Sequence, residues 1–279
     1  MDSAANPDGT PLPASSTPPP TSTQRTAVRP APLEIVFFVI GIIILAVASV
    51  LVHAHPQPYP FDLQTTQTLQ ALQTPAFVTP TIDFFSSLND PIPSIIALAV
   101  WLVGLIVIGL VARARGRSPV KWFQSAAGLI ITVGTAGGLN FIINWLVARP
   151  RPGTFGEKIR VLSHIPVNSF PSGHTEHDVS YYGFILYLSL TPPVRSWRYR
   201  WILIPFQIFA AIDILTIGYS RILEGEHWLT DVLAGYFSGA LWLLMCIFLY
   251  RLITDIIAQR LQAQGVPASE TISTEASAI

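Results

Sequence analysis

Apolar residues in this chain come in long runs separated by short polar stretches, unlike the alternating or one-sided patterns of a water-soluble fold. Six runs approach the roughly 20 residues that a helix needs to cross a bilayer. They are Leu33–His53, Ile92–Ala112, Trp122–Leu146, Thr175–Leu190, Trp201–Tyr219 and Asp231–Ile253. The fourth is the least apolar: it begins with Glu176, His177 and Asp178, so its first turn must face protein or water. Between the first two runs, Phe61, Leu63, Leu69 and Leu72 have a partly helical spacing that ends at Pro75. That spacing predicts an interfacial helix in the headgroup region. Residues 1–32 are rich in Pro, Ser, Thr and Ala and are expected to be a disordered tail. No apolar region precedes Leu33, so this tail does not read as a cleavable signal. The pattern predicts an all-α polytopic bundle of six membrane helices over residues 33–256, followed by a polar tail over 257–279.

Composition agrees: 51% of residues are hydrophobic and 11% charged, with mean hydropathy +0.50, against about 25% charged in soluble chains. The zero formal net charge gives no reason to expect a nucleic-acid partner. A single cysteine, Cys246, excludes an internal disulfide framework and a thiolate-rich metal site, and reads as a packing residue.

The distribution of charge is more informative than its sum. Arg113, Arg115, Arg117 and Lys121 lie between the second and third runs, and Arg195, Arg198 and Arg200 between the fourth and fifth. Arg25 and Arg29 precede the first run, and Arg251 and Arg260 follow or close the last. All fall on one side, which the positive-inside rule makes cytoplasmic along with both termini. The opposite side carries Arg149, Arg151, Lys158, Arg160 and Arg221. Cations kept on that side point to an anionic ligand there. Gly134 with Gly138, and Gly235 with Gly239, have the spacing that lets membrane helices approach closely. They predict that the third and sixth helices pack in the core.

Three polar stretches stand at the outer ends of the predicted spans. They are Asn144 to Pro152 (Asn-Trp-Leu-Val-Ala-Arg-Pro-Arg-Pro), Pro171-Ser-Gly-His174, and Ser220 to Asp231. If the chain is helical from His227, then His227 and Asp231 share one face, and the carboxylate can fix the imidazole tautomer. Arg221 adds a guanidinium fork suited to phosphate oxygens. The alternative is a salt-bridged interfacial loop, with Glu224 and Glu226 either solvated or repelling a second anion. In the second stretch, Ser172 can cap a helix and Gly173 allows close backbone approach. The free amides of the first turn then suit a phosphate, beside which His174 can protonate a departing oxygen. Asp213, inside the fifth run, either pairs with a polar residue of the fourth, such as His177 or Tyr181, or is a protonated, hydrogen-bonded structural acid. His177 with Glu176 and Asp178 lacks the His-Glu-x-x-His arrangement of a zinc site.

Together these stretches resemble the type 2 phosphatidic acid phosphatase (PAP2) superfamily. Its motifs are Lys-x6-Arg-Pro, Pro-Ser-Gly-His and Ser-Arg-x5-His-x3-Asp. The second is matched at Pro171–His174 and the third at Ser220, Arg221, His227 and Asp231, within a resemblance that covers roughly residues 120–250. The first is incomplete: with Arg151-Pro152 on its Arg-Pro, Asn144 stands where the family has lysine. The other register, on Arg149-Pro150, puts Ile142 there. The resemblance implies a six-helix membrane phosphatase whose site opens outside the cytoplasm. It implies that His227 is the nucleophile, forming a phosphohistidine, that Asp231 orients it, and that His174 is the acid. Arg151, Arg221, Ser172, the Gly173 amide and Asn144 would bind the phosphate, with no metal and no cofactor. The implied substrate is a phosphorylated lipid, either a monoester or a polyprenyl pyrophosphate. The alternatives are a lipid phosphotransferase, or a non-enzymatic membrane protein of the same fold, which the loss of the lysine favours.

Overall fold

The computed structural model describes residues 32–73, 75–162 and 168–264. The expectations for residues 1–31 and 265–279 lie outside these. Eight α-helices are described: α1 (Pro32–Ala54), α2 (Pro60–Ala71), α3 (Val78–Leu88), α4 (Pro91–Ala114), α5 (Val120–Val147), α6 (Gly173–Leu190), α7 (Ile204–Leu223) and α8 (Leu229–Ala263). Two 3-10 turns, Val194–Ser196 and Arg200–Leu203, join α6 to α7, and no strand occurs among the described residues.

The helix boundaries follow the breakers in the sequence. Proline occupies the first turn of α2, α4 and α7, where its missing N–H costs nothing. Ala148, in the left-handed region at φ 52°, ends α5 just before Arg149-Pro150. Thr191, followed by two prolines, ends α6. Helix α8 runs without a break to Ala263, past residue 257, from which a polar tail is expected.

Among the described residues, five helical stretches are long and apolar enough to cross a membrane: Leu33–Ala54, Pro91–Ala114, Val120–Val147, Arg200–Leu223 and Leu229–Ala263. On α1 and α4, side chains such as Ile35, Phe37, Val50, Ile95 and Val100 stay more than half exposed. In water they would be a liability; against lipid they are an ordinary surface. The sixth helix, α6, is enclosed by α5, α7 and α8. Thr175, Glu176, Asp178 and Ser180 in its first half are buried, so its polar first turn faces protein, as its sequence demands. Around its lower half Leu129, Tyr182, Phe184, Ala210 and Tyr250 form the main apolar core.

The glycine expectation is half right. A Cβ on Gly235 would press on the Ser172 carbonyl, and one on Gly239 on the backbone of Glu176, so these two seat α8 against α6. Gly134 and Gly138 of α5 meet nothing within 4 Å. The close-approach partner of α8 is therefore α6, not α5. In the connection between α1 and α4, the helix expected from Phe61 to Leu72 is α2. A second, α3, follows and packs on α7.

Candidate active site

The end of α5, the start of α6, the end of α7 and the start of α8 meet at one end of the bundle, with α2 and α3 beside them. All three polar stretches converge there. His227 does not belong to a helix: it precedes Trp228, the N-cap of α8. Its ring is 1% exposed. Nδ1 lies 2.8 Å from the carbonyl oxygen of Ser169. Since that oxygen only accepts, Nδ1 must carry the hydrogen, leaving the lone pair on Nε2. Nε2 faces Arg151, whose Nη1 is 3.3 Å away and also donates to the Glu226 carbonyl at 2.9 Å. The His174 ring stands edge-on, its centre 6.3 Å from that of His227 with the planes at 75°. Burial holds the His227 pKa below the usual imidazole range, against the opposing pull of Asp231. Burial likewise lowers that of Arg151.

Asp231 plays a different part from the one expected. Its Oδ2 is 3.8 Å from His227 Nδ1, too far for a hydrogen bond. That oxygen instead accepts the Trp228 amide at 2.9 Å, as a helix cap. Because the helix begins after His227, the two side chains do not stack along one helical face. The Ser169 carbonyl holds the imidazole, and Asp231 supplies charge behind it.

The other Asp231 oxygen belongs to a network that sequence reading missed. Arg149 is fully buried and spans two buried carboxylates, Asp231 Oδ1 at 2.5 Å and Asp62 Oδ2 at 2.8 Å. It also donates to Thr230 Oγ1 at 2.6 Å and to the Pro56 and Gln57 carbonyls, each at 3.3 Å. Asp62 accepts in addition from the Thr230 amide at 2.9 Å. Burial disfavours the Arg149 charge, but Asp231 and Asp62 outweigh it and raise its pKa. So Arg149, read as a cation kept for a ligand, is neutralised inside the protein, and Arg151 is the arginine at the imidazole. The one local signal for Asp62 was its place at the third position of a Pro-initiated helix, where it accepts the Tyr59 amide at 3.2 Å.

Arg221 is 2% exposed and its fork is engaged by protein. It donates to Glu226 Oε2 at 2.7 Å, to Ser220 Oγ at 3.3 Å and to Ser86 Oγ of α3, and pairs with Glu224 at 3.3 Å. Burial raises the Glu224 pKa, against the pull of Arg221. Glu224 and Glu226 are therefore partners of Arg221, neither solvated nor aimed at a second anion. The turn between them depends on Gly225, at φ 70°, where a Cβ would collide with the Arg160 carbonyl.

Ser172 occupies the N-cap of α6, but its hydroxyl makes no capping bond to the backbone. It accepts from Thr175 Oγ1 at 3.0 Å, while its amide donates to the Asp231 carbonyl at 2.9 Å. Gly173 lies against Asn140, whose Oδ1 a Cβ would meet at 3.1 Å. Asn140 Nδ2 donates to Glu176 Oε2 at 3.0 Å, and Ser238 to the same oxygen at 2.7 Å. Asn144, aligned with the family lysine, is a strut. Its Nδ2 donates to the carbonyls of Asn168 at 2.8 Å and Phe170 at 3.3 Å, on either side of Ser169. Asp213 is bound by Asn89 Nδ2, 3.2 Å from each oxygen, and by the Tyr182 side chain, so it does pair with a polar residue of α6, though with neither His177 nor Tyr181. His177 stacks on Tyr181. Among the described residues no group of three or more His, Cys, Asp or Glu is arranged to hold a metal ion.

Residues 125–255 match the model of the PAP2 superfamily. The chain is 24% identical over 194 residues to an Escherichia coli (strain K12) protein provisionally named as an undecaprenyl-diphosphatase. That match covers 65% of this chain and 88% of the relative. It is 30% identical over 114 residues to phosphatidylglycerophosphatase B of Bacillus subtilis (strain 168), over 40% of this chain and 52% of that one. The second match thus spans about half the length of the relative. The fold is also that of a crystal structure of a transmembrane PAP2-type phosphatidylglycerolphosphate phosphatase from Bacillus subtilis. The TM-score is 0.57 at 20% identity, over 75% of this chain and 94% of that one.

Proposed function

Residues 125–255 form a PAP2 superfamily domain, and from this premise we propose that the protein is an integral membrane lipid phosphatase. It hydrolyses a phosphate monoester or pyrophosphate carried by a lipid, through a phosphohistidine, on the extracytoplasmic face. The relatives named as undecaprenyl-diphosphatase and phosphatidylglycerophosphatase support the substrate class. The loop charges support the orientation.

The observation that carries the reading is the facing pair of imidazoles, 6.3 Å between ring centres, with Arg151 at the lone-pair nitrogen of His227. Nε2 of His227 attacks phosphorus. An N–P bond forms, the P–O bond to the lipid breaks, and protonated His174 gives its proton to the departing oxygen. In the second half, water attacks phosphorus, its proton returns to His174, and the N–P bond breaks to release phosphate. Negative charge on the substrate favours the protonated His174 that the first half needs. Arg151 and the amides at the start of α6 hold the non-bridging oxygens, and Arg221, whose bonds to Ser86, Ser220, Glu224 and Glu226 use four of its five N–H groups, contributes the fifth. In phosphoryl transfer such positioning and charge stabilisation supply most of the catalysis. Ser169 contributes by fixing which nitrogen is free, and Asp231 by opposing the loss of the proton on Nδ1.

A phosphate-release panel across lipid phosphates and lipid pyrophosphates tests the assignment, with vanadate as a phosphoryl transition-state mimic. His227→Ala should abolish turnover without altering expression, and vanadate should inhibit the wild type. Full turnover in that variant would refute the reading.

A further inference from the structure

A cavity of about 500 Å³ opens between α4, α5, α6 and the start of α7, at the end of the bundle away from the two imidazoles. His174 lies in the first turn of α6, whereas Leu188 and Ser189, in its last turn, line the cavity. Along the helix that separation is roughly 20 Å. Trp101, Leu129, Ile185 and Leu188 make its walls almost wholly apolar. The α4 wall runs from Trp101 to Arg115, again about 20 Å. The cavity is thus an apolar slot long enough for a hydrocarbon chain.

The rim identifies the head group. Arg115 lines the mouth and is exposed. Trp197 lines it too. Residues 113–121 and 191–203, which flank the mouth, carry seven Lys or Arg and no Asp or Glu. Basic pockets between membrane helices select anionic lipid head groups.

We propose that this cavity binds an anionic phospholipid from the leaflet opposite the catalytic histidines. Its acyl chain lies in the slot, and its phosphate sits at the Arg115 guanidinium. The lipid bridges α4, α6 and the 3-10 turn at Val194–Ser196. This site is separate from the substrate's and does not depend on the catalytic reading.

The test uses the full chain in detergent with phosphatidylglycerol bearing a photoactivatable diazirine on its acyl chain, and maps the adducts by peptide mass spectrometry. Adducts should concentrate on residues 101–115 and 185–206. Unlabelled phosphatidylglycerol should compete for them better than phosphatidylcholine. Arg115→Gln should weaken labelling about fivefold, the effect of one near-surface cation. Leu188→Trp, which fills the slot and leaves the charges intact, should abolish it. Even labelling over α1 as well, equal competition by the neutral lipid, or insensitivity to both variants would overturn the proposal. Labelling that survives Arg115→Gln but is lost in Arg151→Gln would also overturn it, by making the slot a channel for the substrate's tail.

Discussion

Arg149 offers the sharpest test of how the catalytic end is held together. It and both of its carboxylate partners, Asp62 and Asp231, are 0% exposed. Removing one partner of such a buried pair costs about 3–5 kcal/mol, because a charge is left without compensation. Arg149→Gln strands two carboxylates and belongs near the top of that range. Asp62→Asn leaves Arg149 its bond to Asp231 and an amide oxygen for the Thr230 amide, so it belongs near the bottom. In the double variant neither stranded charge of the Asp62–Arg149 pair remains. Its loss should fall short of the sum of the singles by about 1–3 kcal/mol, the size of a direct coupling. The assay is unfolding of the purified protein in detergent, followed by tryptophan fluorescence, with phosphate release measured on the same samples. Turnover should fall with stability in Arg149→Gln, because Asp231 loses the cation that holds it behind His227. Additivity within about 0.5 kcal/mol, or an Arg149→Gln variant as stable as the wild type, would refute the idea that this arginine ties α2 to α8.

Asn144→Ala removes two donors from the carbonyls flanking Ser169. It should cost about 1–3 kcal/mol of stability and lower kcat more than it raises KM, which steady-state kinetics on a lipid phosphate would separate. His227 is held neutral by burial, so the unfolded chain binds its proton more tightly than the folded one. Its stabilising contribution is therefore present above about pH 6.5 and is lost as the pH falls through that value toward the lowered native pKa. His227→Gln should flatten that acid limb in a pH series of unfolding curves. Gly225→Ala forces a side chain into the left-handed region, at a cost of about 1–3 kcal/mol before the clash with Arg160 is added. It should lower both the melting temperature and the turnover, since the turn it breaks carries Glu224, Glu226 and His227.

What the sequence determined by itself was where the apolar runs and the contiguous motifs lie. The apolar runs marked α1, α4, α5, α7 and α8 because lipid demands unbroken apolar length, and proline placed the starts of α4, α5 and α7. The polar first turn of α6 already implied a protein environment, since charged groups are costly in hydrocarbon. The motifs at 171–174 and 220–231 were legible because each is contiguous. Tertiary structure alone decided which atoms those residues meet. Arg149 and Arg151 each precede a proline two residues apart, yet one lies between two carboxylates and the other against an imidazole. Nothing local separates them, because Asp62 and Thr230 come from helices distant in the chain. The same holds for the acceptor of the His227 proton, a backbone carbonyl 58 residues away that no side-chain pattern can announce. Buried polar groups must find partners wherever the packing of the helices brings them, and that packing is a property of the whole bundle rather than of any one stretch.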